Sequence, residues 1–226
     1  MHPSKSALLG LLAAALGIER ADEEGQQALA RGYRFGIKLE CVGSPLRDYH
    51  TVQFGVAPRR TRFRSRRQEL LADKVDTLLS AREYRCDSLA LVAVEALAQA
   101  PHTLERLVEA LCRPHFPLYL GRKSCPPALP LAPRIVAAET LRCALDETPL
   151  PSLLGLLGHD PQQSWPSSAD RRALRPGQAR YYWEEGMQAG MTASFDSVRH
   201  DQPLSRARWQ FAPRREQVFL SGGERP

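Results

Sequence analysis

The chain has 226 residues, 43% hydrophobic and 25% charged, a composition that excludes a disordered tail, a collagen-like repeat and a disulfide mini-protein and leaves one large domain or two small ones. Its net charge of +6 rests on 31 basic residues, 27 of them Arg and 4 Lys, a bias toward planar, forked contacts with phosphate or carboxylate. Between Arg47 and Arg85 ten basic residues stand against five acidic ones, so the surplus is local and points to an element turned toward a polyanion.

Lys5 and the apolar run Ala7 to Ile18 imitate a secretory signal, but the run is too short to span a bilayer and ends in Glu19-Arg20, a poor processing site. It reads instead as a buried helix capped by Ser4 or Ser6, filled by Leu8, Leu9, Leu11, Leu12 and Leu16, and ended by Gly17. Asp22 to Arg31 predicts a short second helix that stops at Gly32. Tyr33, Phe35, Ile37, Leu39 and Cys41 alternate strictly with polar or small residues, the pattern of a half-buried strand closed by Gly43-Ser44-Pro45. Leu46 to Val56 and Val75 to Asp87 read as the arms of a long hairpin. Ser88 to Leu97 predicts a strand buried on both faces. Thr103 then caps a helix whose Leu104, Leu107, Val108 and Leu111 share one face.

After Cys125 the prolines at 126, 127, 130 and 133 interrupt regular structure, with Arg134 to Ala138 a candidate strand. Pro149 to Pro176 reads as a flexible loop. Arg180 to Trp183, Met191 to Val198 and Trp209 to Leu220 read as three short strands. The order of elements predicts an α+β, ferredoxin-like (RRM-like) fold whose first strand is missing. Residues 1–125 would form a body with its hairpin, and residues 126–226 a smaller β-rich C-terminal part containing the loop at about 149–176.

Arg59, Arg60, Arg62, Arg64, Arg66 and Arg67, with Phe63 among them, lie between the hairpin arms. So many guanidiniums in one short stretch repel one another without an anionic partner, and Phe63 offers a stacking face, which suits single-stranded RNA. The alternative is a solvated basic loop. Gly121-Arg122-Lys123-Ser124 resembles the end of a phosphate-binding loop, but Arg122 stands where glycine is needed and Pro126-Pro127 forbids the following helix, so it reads as a basic turn suited to a phosphate backbone. Cys112 and His115 have metal-ligand spacing without a second pair. Five cysteines (Cys41, Cys86, Cys112, Cys125, Cys143) without CxxC predict free thiols in a reducing compartment, the cytoplasm. Arg47, Asp48, Tyr49 and His50 stand together and offer either acid/base work on a ribose hydroxyl or base contacts.

Leu46-Arg47-Asp48-Tyr49-His50-Thr51 and Phe116-Pro117-Leu118-Tyr119-Leu120-Gly121-Arg122-Lys123-Ser124-Cys125-Pro126 resemble the CasD family, the fifth Cas protein class of type I-E CRISPR Cascade complexes. Pro3-Ser4-Lys5-Ser6, Arg82-Glu83-Tyr84 with Cys86-Asp87, and Gln210-Phe211-Ala212-Pro213-Arg214 agree in order. The resemblance implies a RAMP-type body with a protruding β-hairpin thumb at about 52–78, and a subunit that caps the repeat-derived 5′ handle of CRISPR RNA in antiviral defence without cutting it. Implied partners are the Cascade backbone and large subunits, with target DNA met only through the complex. No cofactor, metal or membrane is implied. Family members also carry an opening strand and a glycine-containing loop before the Pro3-Ser4-Lys5-Ser6 helix, and a misassigned start is the expected reason for their lack here.

The expected handle contacts are Lys5 and Ser6, with helix N-terminal amides adding to phosphate binding; Arg47, Tyr49, His50 and Thr51; the thumb arginines with Phe63; Arg82 and Tyr84; and Arg122, Lys123 and Ser124. An alternative is a metal-independent endoribonuclease processing precursor CRISPR RNA, with Tyr49, His50 and Lys123 as its catalytic set. A third reading is a protein-interaction scaffold whose basic hairpin meets an acidic partner.

Overall fold

The first helix, α1 (Lys5–Leu16), begins where the Ser4 hydroxyl accepts the Ala7 amide at 3.2 Å and ends where Gly17, at φ +79°, returns its amide to the Ala13 and Ala14 carbonyls. Glycine adopts that left-handed backbone without the Cβ clash other residues suffer. The computed structural model describes residues 2–57, 62–148 and 179–221. The other elements are α2 (Glu23–Gly32), β1 (Tyr33–Cys41), β2 (Ser44–Gly55), α3 (Arg66–Leu70), β3 (Val75–Cys86), β4 (Leu89–Ala96), α4 (Leu104–Cys112), α5 (Leu141–Asp146), β5 (Arg180–Glu184), β6 (Phe195–Ser205) and β7 (Gln210–Leu220). Two compact units result, one of Met1–Val42 with Leu89–Pro226 and the other of Gly43–Ser88.

In the larger unit an antiparallel sheet runs β4-β1-β5-β7-β6. Leu8, Leu9, Leu12, Leu29 and Leu107, from α1, α2 and α4, pack with Tyr33, Phe35, Ile37, Leu39, Tyr182 and Val218 into one core cluster. Leu141 and Leu145 of α5 pack with Tyr181, Trp183 and Ala189 into a second. Ile37 pairs with Tyr182 and Lys38 with Tyr181, so the two clusters take alternate residues of the same strands and lie on opposite faces of the sheet. This is an α+β fold, as expected.

Several expectations are corrected. Residues 126–226 are not a separate part: β5 pairs with β1 and extends the sheet of the N-terminal half. The reason is backbone satisfaction, since β4 serves only one edge of β1 and β5 serves the other. For the same reason β1, read as half-buried, is buried on both faces, while β4, read as doubly buried, forms an edge of the sheet and is mostly half-buried. Gly36 belongs to the second face of β1, where a side-chain carbon would run into Leu141. Arg134 to Ala138 forms no strand, and β6 starts at Phe195 because Met191 and Ala193 pack into the α5 cluster. The expected loop at Pro149 to Pro176 lies outside the described residues.

α1 is an internal helix of this core, and no helix among the described residues is long and apolar enough to cross a membrane. None of the five cysteines forms a disulfide.

Candidate nucleic-acid interface

The smaller unit is a two-stranded ribbon in which β2 and β3 pair without a bulge from Ser44↔Cys86 to Gly55↔Val75. It is longer than the 52–78 expected for a thumb, so Arg47 to Thr51 and Arg82 to Tyr84 lie within it. Strand alternation sorts them. Leu46, Asp48, His50, Val52 and Phe54 share one face with Tyr84, Arg82, Ser80 and Leu78, whereas Arg47, Tyr49 and Thr51 share the other with Glu83, Ala81 and Leu79. Most of the ribbon is exposed, including Tyr49 at 61% and Leu78 and Leu79 at 59% and 57%.

Two cross-strand charge groups organise these faces. His50 Nε2 lies 3.3 Å from Asp48 Oδ1, and its Nδ1 lies 3.5 Å from the Arg82 guanidinium. A guanidinium only donates, so Nδ1 is the acceptor in the Arg82 contact, and Nε2 lies on the Asp48 side. Each ring nitrogen thus faces a charged neighbour. On the opposite face Arg47 pairs with Glu83 at 2.6 Å. Asp48 and Glu83 were missed as partners, because register alone brings them to Arg82, His50 and Arg47. Tyr49 and His50, expected to act together in the ribonuclease alternative, point to opposite faces of the ribbon; Lys123, its third member, belongs to the other unit.

The tip carries a short helix that the sequence reading lacked. Ser65 caps α3 through the Gln68 amide at 3.2 Å, and the Gln68 side chain in turn accepts the Arg64 amide at 3.0 Å. Arg66 is held by Glu69 at 2.8 Å and donates to the Gln53 carbonyl of β2, so it anchors the tip helix. The guanidiniums of Arg62, Arg64 and Arg67 are exposed and meet no carboxylate among the described residues. Phe63 is half-buried beside them. Arg59 and Arg60 lie outside the described residues.

In the larger unit the His115 and Phe116 amides donate to the Ala15 and Ala14 carbonyls, both at 3.0 Å, and so satisfy the C-terminal end of α1. The chain then reaches the basic turn. Gly121, at φ +83°, begins a loop closed by Leu120 and Cys125 through an amide-to-carbonyl bond of 2.9 Å. Arg122, Lys123 and Ser124 are exposed on it. No helix follows, in keeping with a basic turn, and Cys112 and His115 belong to no metal-binding group among the described residues.

Lys5 is corrected. Its side chain is buried, with the residue 5% exposed and Nζ 2.6 Å from Glu184 Oε2. Its backbone amide donates to Asp201 Oδ2 at 2.8 Å, so a carboxylate of β6 stands where phosphate was expected, and the Ser6 carbonyl accepts the Arg206 guanidinium. Asp201 also takes two bonds from Arg214, at 2.8 and 3.0 Å. Burial would raise the Asp201 carboxyl, but the Arg214 hydrogen bonds and charge outweigh it and hold it below the usual carboxylate range. Lys5 and Arg214 thus tie α1 to the sheet.

The chain thus comprises a basic ribbon with a helical tip and an α+β body with helices on both faces of its sheet. The family model described as CRISPR-associated protein (Cas_Cas5) matches residues 1–216. The chain belongs to the Cas5 family of CRISPR-associated proteins. Among curated proteins, the Cas5-family chain is 35% identical over 137 residues to the CRISPR system Cascade subunit CasD of Escherichia coli (strain K12), a match over 57% of each chain. That match spans a little more than half of the relative's length. Among solved structures it resembles a chain of a CRISPR RNA-guided surveillance complex, at 24% identity and TM-score 0.60 over 97% of this chain and 79% of that one. A crystal structure of a Cas protein follows, at 22% identity and TM-score 0.50 over 97% and 81%. At those identities the two structures speak for the Cas5 fold alone.

Proposed function

We propose that this Cas5-family protein is the non-catalytic subunit of a type I-E CRISPR Cascade complex that caps the 5′ handle of the guide RNA. The observation that carries the reading is the hairpin tip. Exposed guanidiniums of Arg62, Arg64 and Arg67 stand there and meet no carboxylate among the described residues, Arg67 on and Arg62 and Arg64 just before a helix anchored to the ribbon through Arg66. A fixed cluster of unneutralised Arg favours phosphate, and the aromatic residues Tyr49, Phe63 and Tyr84 in the same unit favour unpaired bases. In this reading the protein works in the cytoplasm with Cascade backbone and large subunits as neighbours and reaches target DNA only through the complex, and membership of the Cas5 family supports that setting.

No cleavage step belongs to the reading. The His50 ring lies between Asp48 and Arg82, and Tyr49 faces the other way. Handle-bearing single-stranded RNA, titrated into the full chain and into an Arg62→Gln/Arg64→Gln/Arg67→Gln variant, should bind the variant at least tenfold more weakly at moderate salt, and the repeat RNA should stay intact with either protein. Equal binding, or cleavage abolished by His50→Ala, contradicts the proposal.

A further inference from the structure

The turn between β6 and β7 displays a tryptophan that neither the core nor the hairpin uses. Trp209 is 60% exposed and adopts φ +54°, a left-handed backbone where glycine is the ordinary occupant. The turn around it is over-determined. Glu23 of α2 accepts the Arg206 amide at 2.8 Å, the Arg206 guanidinium reaches down to the Ser6 carbonyl of α1, and Ser205 Oγ accepts the Arg208 amide at 3.1 Å. Arg20 donates to the Arg206 carbonyl through Nε at 3.2 Å and Nη2 at 3.1 Å, which sets its guanidinium 3.8 Å from the centre of the Trp209 ring. A large aromatic ring is thus held at the surface, in a conformation it would not choose, with a cation fixed on one side. Strain retained at an exposed aromatic points to use of that ring.

We infer that Trp209 is a stacking platform for an unpaired nucleobase, with Arg20 behind the ring and the exposed Arg208 beside it for the adjoining phosphate. An indole backed by a guanidinium suits the π-face of any base, and a neighbouring arginine suits the backbone. The Glu23 carboxylate is occupied by backbone amides of the turn. This inference rests on the RNA-binding reading and adds a contact in the larger unit, separate from the hairpin.

The test titrates the full chain with an unstructured single-stranded RNA, reading both anisotropy of the labelled RNA and tryptophan emission. Wild type should bind with quenching. Trp209→Phe, which keeps a ring, should bind within about threefold but lose most of the quenching. Trp209→Gly should bind roughly tenfold more weakly with a melting temperature unchanged or raised, because glycine relieves the left-handed strain. Wild-type affinity in the glycine variant, or quenching that survives in Trp209→Phe, overturns the platform and leaves the hairpin reading standing. A lowered melting temperature in Trp209→Gly assigns the ring a structural role and also overturns it. A change in Trp209 emission seen only with an added protein subunit overturns it in favour of a protein contact. Absence of any RNA binding by wild type overturns the platform and the RNA-binding reading together.

Discussion

The strand β1 and the β2–β3 ribbon are both antiparallel and both built from alternating sequence, yet one is buried on both faces and the other on neither. The difference lies in what covers them. Helices α1, α2 and α4 lie over one face of the sheet and α5 over the other, while the ribbon has only its cross-strand pairs. Charges follow the same division. In the body Lys5 meets Glu184, Arg214 meets Asp201 and Glu216, and Lys38 meets Glu40 and Asp146. On the ribbon tip the guanidiniums of Arg62, Arg64 and Arg67 meet solvent. A basic residue in this chain therefore fastens the fold or faces solvent according to what surrounds it, and its residue type alone does not say which.

Substitutions should separate the two regions. The largest effect is expected at Lys5→Met, which leaves the Glu184 carboxylate buried without its cation and should cost about 3–5 kcal/mol in urea unfolding. The same change at Arg82 should stay within about 0.5 kcal/mol. Next comes Gly36→Ala, whose methyl meets Leu141; overpacking there should cost about 1–3 kcal/mol by the same measurement. The acid limb is a third contrast. Asp201 is held below its ordinary range, so it contributes stability that is present above the unfolded-state carboxylate pKa of about 3.9 and lost as pH falls through the lower folded value. Unfolding followed between pH 6 and pH 2 should show that loss, and Asp201→Asn should flatten the acid limb. The smallest effect is expected at Leu78→Ser and Leu79→Ser, which should move the unfolding midpoint by less than about 0.5 kcal/mol. A large loss there would mean that the ribbon has a core of its own.

Local signals were legible. The Ser4 cap and Gly17 stop of α1, the Thr103 cap of α4 and strands β5 and β7 all follow from neighbouring residues, as do the two hairpin arms. The opposed directions of Tyr49 and His50 also follow from the period of a strand, and reading the pair as one cluster overlooked it. Pairing of β5 with β1 did not show, because the paired residues Leu39 and Arg180 stand 141 positions apart in the chain, and only the unmet hydrogen bonds of β1 join them. Lys5 failed for the same reason. Its partner lies far along the chain, and a lysine at a helix start looks identical whether it faces phosphate or a buried carboxylate. α3 was hidden by the density of arginines, whose charge drew attention from the Ser65 cap.

The direct test of the central claim, that the tip guanidiniums hold RNA phosphates, is the salt dependence of binding. Handle RNA affinity, measured across a series of salt concentrations, should lose about 2 from its log–log slope when Arg62, Arg64 and Arg67 are all replaced by Gln, at about 0.7 per phosphate contact. An unchanged slope in a folded triple variant would contradict the account.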